Sequence, residues 1–86
     1  MSVTIITVLD IQAETFLVPQ FTHNKATAKR LFAQAVNEPG HDFNRHPESY
    51  SLYKIGEYNE ETGLITPCDP EHLALAETVK AQSNEE

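Results

Sequence analysis

The sequence is short of most features that announce chemistry. It has one cysteine, Cys68, so no internal disulfide can close. Its three glycines, Gly40, Gly56 and Gly63, are too scattered to form a phosphate-cradling loop. No apolar run approaches the roughly 20 residues needed to cross a bilayer, since the N-terminal one ends at Asp10. The opening "MSVTIITVLD" also lacks the basic flank and small-residue cleavage site of a secretory signal, so a cytosolic, reduced, membrane-free protein is expected. Positive charge is scarce as well. Six Lys and Arg face thirteen Asp and Glu, a formal charge of −7, which removes the bulk attraction behind non-specific nucleic-acid binding.

What is present amounts to one small domain. Splitting 86 residues into two cores would leave each half too little apolar surface to bury. A single core of this size gains from self-association, and a homodimer is the expected assembly. Residues 1–80 are read as one α+β domain and residues 81–86 as a disordered acidic tail.

"VTIITVL", Val3 to Leu9, is β-branched and apolar on both alternating faces, which predicts a strand buried on both sides. "FLVPQF" is extended, and Pro19 restricts it to a sheet edge at most. In "NKATAKRLFAQAV", Ala28, Leu31, Phe32, Ala35 and Val36 recur at helical spacing, so an amphipathic helix is predicted with all five facing the core. Thr22 or Asn24 caps its start, Pro39 and Gly40 end it, and Lys25, Lys29, Arg30 and Gln34 occupy the other side. "SYSLYKIGEY" and "LITP" flank "NEETG" as a β-hairpin with Gly63 at positive φ. In "DPEHLALAETVK", Asp69 as N-cap and Pro70 at the first helical position predict a short C-terminal helix, with a weak stripe of His72, Leu75, Ala76 and Val79. The fold class is therefore α+β: a small antiparallel or mixed sheet, one amphipathic helix covering it, and a short C-terminal helix. The second sheet face needs a cover, from that last helix or a symmetry partner.

The densest polar stretch is "HDFNRHPESYSLYKIGEYNEETG", residues 41–63. His41, Asp42 and His46 have the chemistry of divalent-metal ligands, but their spacing matches no helical pair and the one thiol is remote. Cys68 with a histidine, or Ser49 or Ser51 with His46, lies in no recognisable nucleophile turn. Glu57, Glu60 and Glu61 read as a solvated acidic hairpin tip. The stretch is thus taken as a structural junction anchored by Phe43 and Tyr50, with no catalytic residue, cofactor or metal assigned. Charge is uneven along the chain. Residues 22–46 hold four bases (Lys25, Lys29, Arg30, Arg45) and two acids (Glu38, Asp42), a balance of +2; residues 69–86 hold five acids and one base, a balance of −4. Lys25, Lys29, Arg30 and Arg45 are candidate phosphate contacts, and Tyr53, with Tyr50 or Tyr58, a candidate base-stacking group. The alternative is a solvated helix face beside packed tyrosines.

One resemblance goes further. "PQFTHNKATAKRLFAQAVNEPGHDFNRHPESYSLYKIGEYNEETG" resembles the small non-structural protein of gokushoviruses, single-stranded-DNA phages of the microvirus family. There a helix ending "FxxAVN" plus a proline leads into a "HPExYxLxxxGxYxxxTG" hairpin. This chain carries Phe32, Ala35, Val36, Asn37 and Pro39, then His46, Pro47, Glu48, Tyr50, Leu52, Gly56, Tyr58, Thr62 and Gly63, departing at Ser49, where an acid is usual. The resemblance implies a phage protein in the host bacterial cytoplasm, outside the virion, controlling the switch from duplex replication to single-stranded genome synthesis. It implies no catalytic residues. Three readings follow: a non-enzymatic regulator binding the phage initiator or host replication proteins, a single-stranded-DNA-binding module using the basic helix and tyrosines, and a small metal-dependent enzyme using the His41 to His46 loop.

Overall fold

The computed structural model describes residues 2–80, so the expected acidic tail over 81–86 lies outside the described residues. The β-branched run forms β1, Ser2–Asp10, an interior strand. On one side it pairs with β4, Tyr50–Asn59, which pairs in turn with β5, Ile65–Leu75. On the other side lie two short pieces, β2, Thr15–Phe16, and β3, Gln20–Thr22. Every pairing is antiparallel, so the five-stranded sheet is not mixed. The α+β expectation holds, and "FLVPQF" supplies edge pieces as its proline requires. Residues 4–8 of β1 are all buried, as its two apolar faces predicted.

Helix α1, Lys25–Val36, packs on the face that presents Ile6, Val8 and Leu52, and Ala28, Phe32 and Val36 point into that core. Asn24 is the N-cap; its Oδ1 accepts the Thr27 N–H at 2.8 Å, which satisfies one of the helix's unpaired donors. At the other end the Asn37 side chain donates to the Ala33 and Val79 carbonyls at 2.9 and 3.1 Å. Leu31 departs from the expected core stripe, being 47% exposed. The inward line is the i, i+4, i+8 row of Ala28, Phe32 and Val36. Leu31 sits on the flank facing the short β2 and β3 pieces, which leave a groove where a full strand would have covered it.

The C-terminal segment also departs from expectation. Asp69 and Pro70 do not start a helix; they lie within β5, and only Ala76–Val79 is helical, as α3. The N-cap and proline signature is overridden by pairing with β4. Between the pairs Lys54 with Glu71 and Gly56 with Pro67 the register slips, so Cys68, Asp69 and Pro70 bulge from an edge strand, where a residue without an N–H is tolerated. Ala76 and Val79 keep the core-facing role of the predicted stripe, while His72 and Leu75 lie in the strand.

A second bulge matters more. In β4, Lys54 pairs with Ile6 and Gly56 with Ile5, leaving Ile55 as an extra residue. Opposite it Gly56 meets β5 closely: a Cβ there would lie 2.7 Å from the Thr66 carbonyl oxygen and 3.2 Å from the Pro67 Cα. Only glycine lets the two backbones approach this far.

Phe32→Ala is therefore expected to cost about 3–5 kcal/mol and Leu31→Ala about 1 kcal/mol or less, measured by urea denaturation; equal losses would contradict the helix phase. Gly56→Ala is expected to cost about 1–3 kcal/mol in the same assay, since the obstacle is backbone and cannot swing aside.

Candidate functional site

The polar stretch before β4 is occupied with holding itself together. His41 caps the single turn α2, Asp42–Arg45, its Nδ1 accepting the Phe43 N–H at 3.0 Å. Asn44 donates to the Val36 carbonyl at 2.9 Å, and Asp42 pairs with Arg45. A 3-10 turn over Pro47–Ser49 follows, and the buried Ser49 accepts the Ile11 N–H through its carbonyl at 2.8 Å. Phe43 is the anchor. Its ring lies 4.6 Å from those of His41 and Tyr50 and 5.6 Å from that of Phe32. Burial, followed by the charges of Asp10 and Asp42, pushes the Tyr50 hydroxyl's pKa up. Cys68 stands apart, exposed on β5 with its sulfur 3.9 Å from the Lys54 carbonyl. Among the described residues no group of three or more His, Cys, Asp or Glu is placed to hold a metal ion.

Of the five candidate nucleic-acid contacts, Lys25, Lys29 and Arg30 share α1, whereas Arg45 ends α2 and Tyr53 lies across the sheet. Lys25 is engaged by Glu71 at 3.1 Å and Arg45 by Asp42. Lys29 and Arg30 are exposed on α1 and form no ion pair among the described residues. Tyr53 is on the other side of the sheet, because its neighbour Lys54 shares the helix-side face with Ile6 while Tyr53 pairs with Thr7. Lys54 bonds Glu57 at 2.8 Å, which holds that carboxyl below the usual range and raises the Lys54 ammonium.

The face opposite α1 is the more distinctive surface. Phe16 on β2 and Tyr53 on β4 flank β1, and their rings meet edge to face at 5.8 Å above it. Tyr53 continues to His72 on β5 at 5.3 Å. A second row joins Phe21 and Tyr58 at 5.6 Å. These rings roof Ile5 and Thr7, which is how both are buried with no helix on this side. Both rows depend on a one-residue irregularity. Tyr53 and Tyr58 are five residues apart and would point to opposite faces in a regular strand, but the bulge at Ile55 brings them to one face. Phe16 and Phe21 are also five apart, yet pair with Leu9 and Ile5, four apart. The matching spacings "FLVPQF" and "YKIGEY" were the available signal, hidden because strict alternation splits each pair between faces.

The paired positions on this face carry no Lys, Arg, Asp or Glu. Acids lie in the turns beyond the rows: Glu14 between β1 and β2, Glu60 and Glu61 between β4 and β5. On the helix side, a groove of about 600 Å³ runs between α1 and the β2–β3 edge, lined by Ile6, Leu17, Ala28, Leu31 and Phe32.

A family described as Phage ORF5 protein matches residues 3–79, from β1 through α3. The chain belongs to that family. It is a phage accessory protein, and the matched span takes in both faces of the sheet and the junction before β4. No curated protein and no solved structure matches it. No helix among the described residues is long and apolar enough to cross a membrane.

Because Tyr53 joins both Phe16 and His72 and covers Thr7, Tyr53→Ala is expected to cost about 2–4 kcal/mol and Tyr53→Phe under about 1 kcal/mol. Thermal denaturation of the pair checks this. Equal losses would place the weight on the hydroxyl instead of the ring.

Proposed function

We propose that this phage protein regulates genome replication, at the switch from duplex copying to single-stranded genome synthesis, by binding a replication protein of the phage or its host and without catalysis of its own. The replication role is supported by the resemblance to the gokushovirus non-structural protein. The observation that carries the choice of a protein target is the separation of aromatics from cations. A single strand is bound by rings for its bases beside cations for its phosphates; here the sheet stands between Tyr53 and Tyr58 and the helix cations, and Tyr50, on the helix side, is packed against Phe43. The aromatic face has no cation, acids lie in the turns at its ends, and two of the four candidate bases are already engaged by carboxylates.

Single-stranded-DNA binding is the second reading, favoured by one observation: Lys29 and Arg30 on α1 form no ion pair among the described residues. Fluorescence anisotropy with a labelled single-stranded oligonucleotide separates the two. No saturable binding is expected from about 50 mM salt upward, where few phosphate contacts are available. Binding that is lost on combined Lys29→Glu and Arg30→Glu substitution would establish the second reading. The replication role is tested in infected cells with a phage carrying a stop codon in this reading frame. Single-stranded genomes are expected to fall relative to duplex forms, and an unchanged ratio would overturn the assignment.

A further inference from the structure

The uncovered sheet face has the properties of a surface that meets its own copy, and we propose that the protein is a homodimer packed face to face through it about a twofold axis. This holds whichever replication component is bound. Phe16, Phe21 and Ile65 are 47%, 54% and 58% exposed on one face, the two rings at its β2–β3 edge and Ile65 on β5 at the other. The rings of Tyr53 and Tyr58 lie between them, so apolar surface runs across the face, and its contact with water is unfavourable.

Charge selects the occupant. Two chains of −7 repel wherever their acids approach, and burying an unpaired carboxylate between them is costly. The paired positions on this face carry no charge, so identical copies can close on them with no ionised side chain from those positions left unpaired. A polyanion gains nothing there, since no cation awaits it. A strongly basic partner would find its counter-charges only in the turns at the ends, not under the rings.

Size sets the strength of the pairing. Four strand positions at about 4.8 Å spacing, and rows running from Val3 to Leu9 of β1, about 20 Å, give a footprint of about 400 Å² per copy. The pair therefore covers about 800 Å², short of the roughly 1,000 Å² of a stable interface and the size of a weak, concentration-dependent dimer. Two sheets stacked about 10 Å apart with their strand directions offset would interleave the ring rows of one copy with those of the other.

Light scattering and sedimentation equilibrium on the full chain test the proposal. Twice the chain mass is expected at tens of micromolar. Ile65→Lys and Phe21→Lys, made separately, should each raise the dimer dissociation constant at least about 100-fold, because each places a cation against the apolar face of the other copy. The lysine stem at 21 still covers Ile5, so circular dichroism should show the native strand content. Leu31→Lys, in the groove beside α1, should leave the dimer intact. Independently of any variant, dilution of isotope-labelled wild-type protein should shift the amide resonances of Tyr53, Tyr58, Ile65 and His72 and not those of α1. A monomeric wild type at about 100 μM, the concentration at which even a 10 μM dimer would be mostly formed, would overturn the proposal. So would a folded Ile65→Lys that stays dimeric, or dissociation by Leu31→Lys alone.

Discussion

Everything else in the molecule is arranged around the burial of β1 on two faces at once. Ile6 and Val8 on one side and Ile5 and Thr7 on the other are all shielded from water, and each aliphatic side chain so placed contributes about 1.5–3 kcal/mol. Both α1 and α3 pack on the same side, with Ile6, Val8 and Leu52. The helix side is covered conventionally by α1 through Ala28, Phe32 and Val36. The other side is covered by side chains of neighbouring strands, whose rings lean across β1 and meet above it. The Thr7 hydroxyl donates to the Leu17 carbonyl at 2.6 Å, and that bond ties the break between β2 and β3 to the strand it flanks.

The roof of rings explains the glycine and the bulge together. Without Ile55 as an extra residue, Tyr53 and Tyr58 would take opposite faces, and one row would lose its partner. The bulge accentuates the strand's twist where β5 must follow, and β5 answers with its own slip over Cys68, Asp69 and Pro70. Gly56 stands between the two irregularities, where the backbones crowd too closely for a side chain. A local defect in the ladder is thus the means by which two tyrosines five residues apart act on one surface.

The elements with a strong local period were legible from the sequence: the β-branched first strand, the helix at "NKATAKRLFAQAV", the hairpin with Gly63 at positive φ, and the edge character of "FLVPQF". Phe43 and Tyr50 were also legible as anchors of the junction, and their rings do pack together. The misreadings share a cause. Leu31 fits the helical stripe, but its burial depends on whether a strand lies across from it, and β2 and β3 are too short to provide one. Asp69 and Pro70 form a sound helix start in isolation, yet β4 offers an open edge to pair with, and long-range pairing decided the outcome. Neither fact is local.

The candidate site was less legible than the fold for a related reason. Reading Lys25, Lys29, Arg30, Arg45 and Tyr53 together assumed that residues close in composition share a surface, whereas the sheet places the ring and the helix cations on opposite sides. The carboxylates that engage Lys25 and Arg45 also differ in kind: Asp42 is three residues from Arg45, while Glu71 reaches Lys25 only because β5 folds back beside β4. Exposed pairs of this type contribute little to stability, commonly under about 1 kcal/mol, but they change what a surface offers to a polyanion. Electrostatic recognition depends on uncompensated charge, not on a count of lysines and arginines. Two of the four candidate cations are compensated, and the rows of Tyr53 and Tyr58 lie across the sheet from the rest, which is the arrangement that supports the proposed protein target over a phosphate backbone.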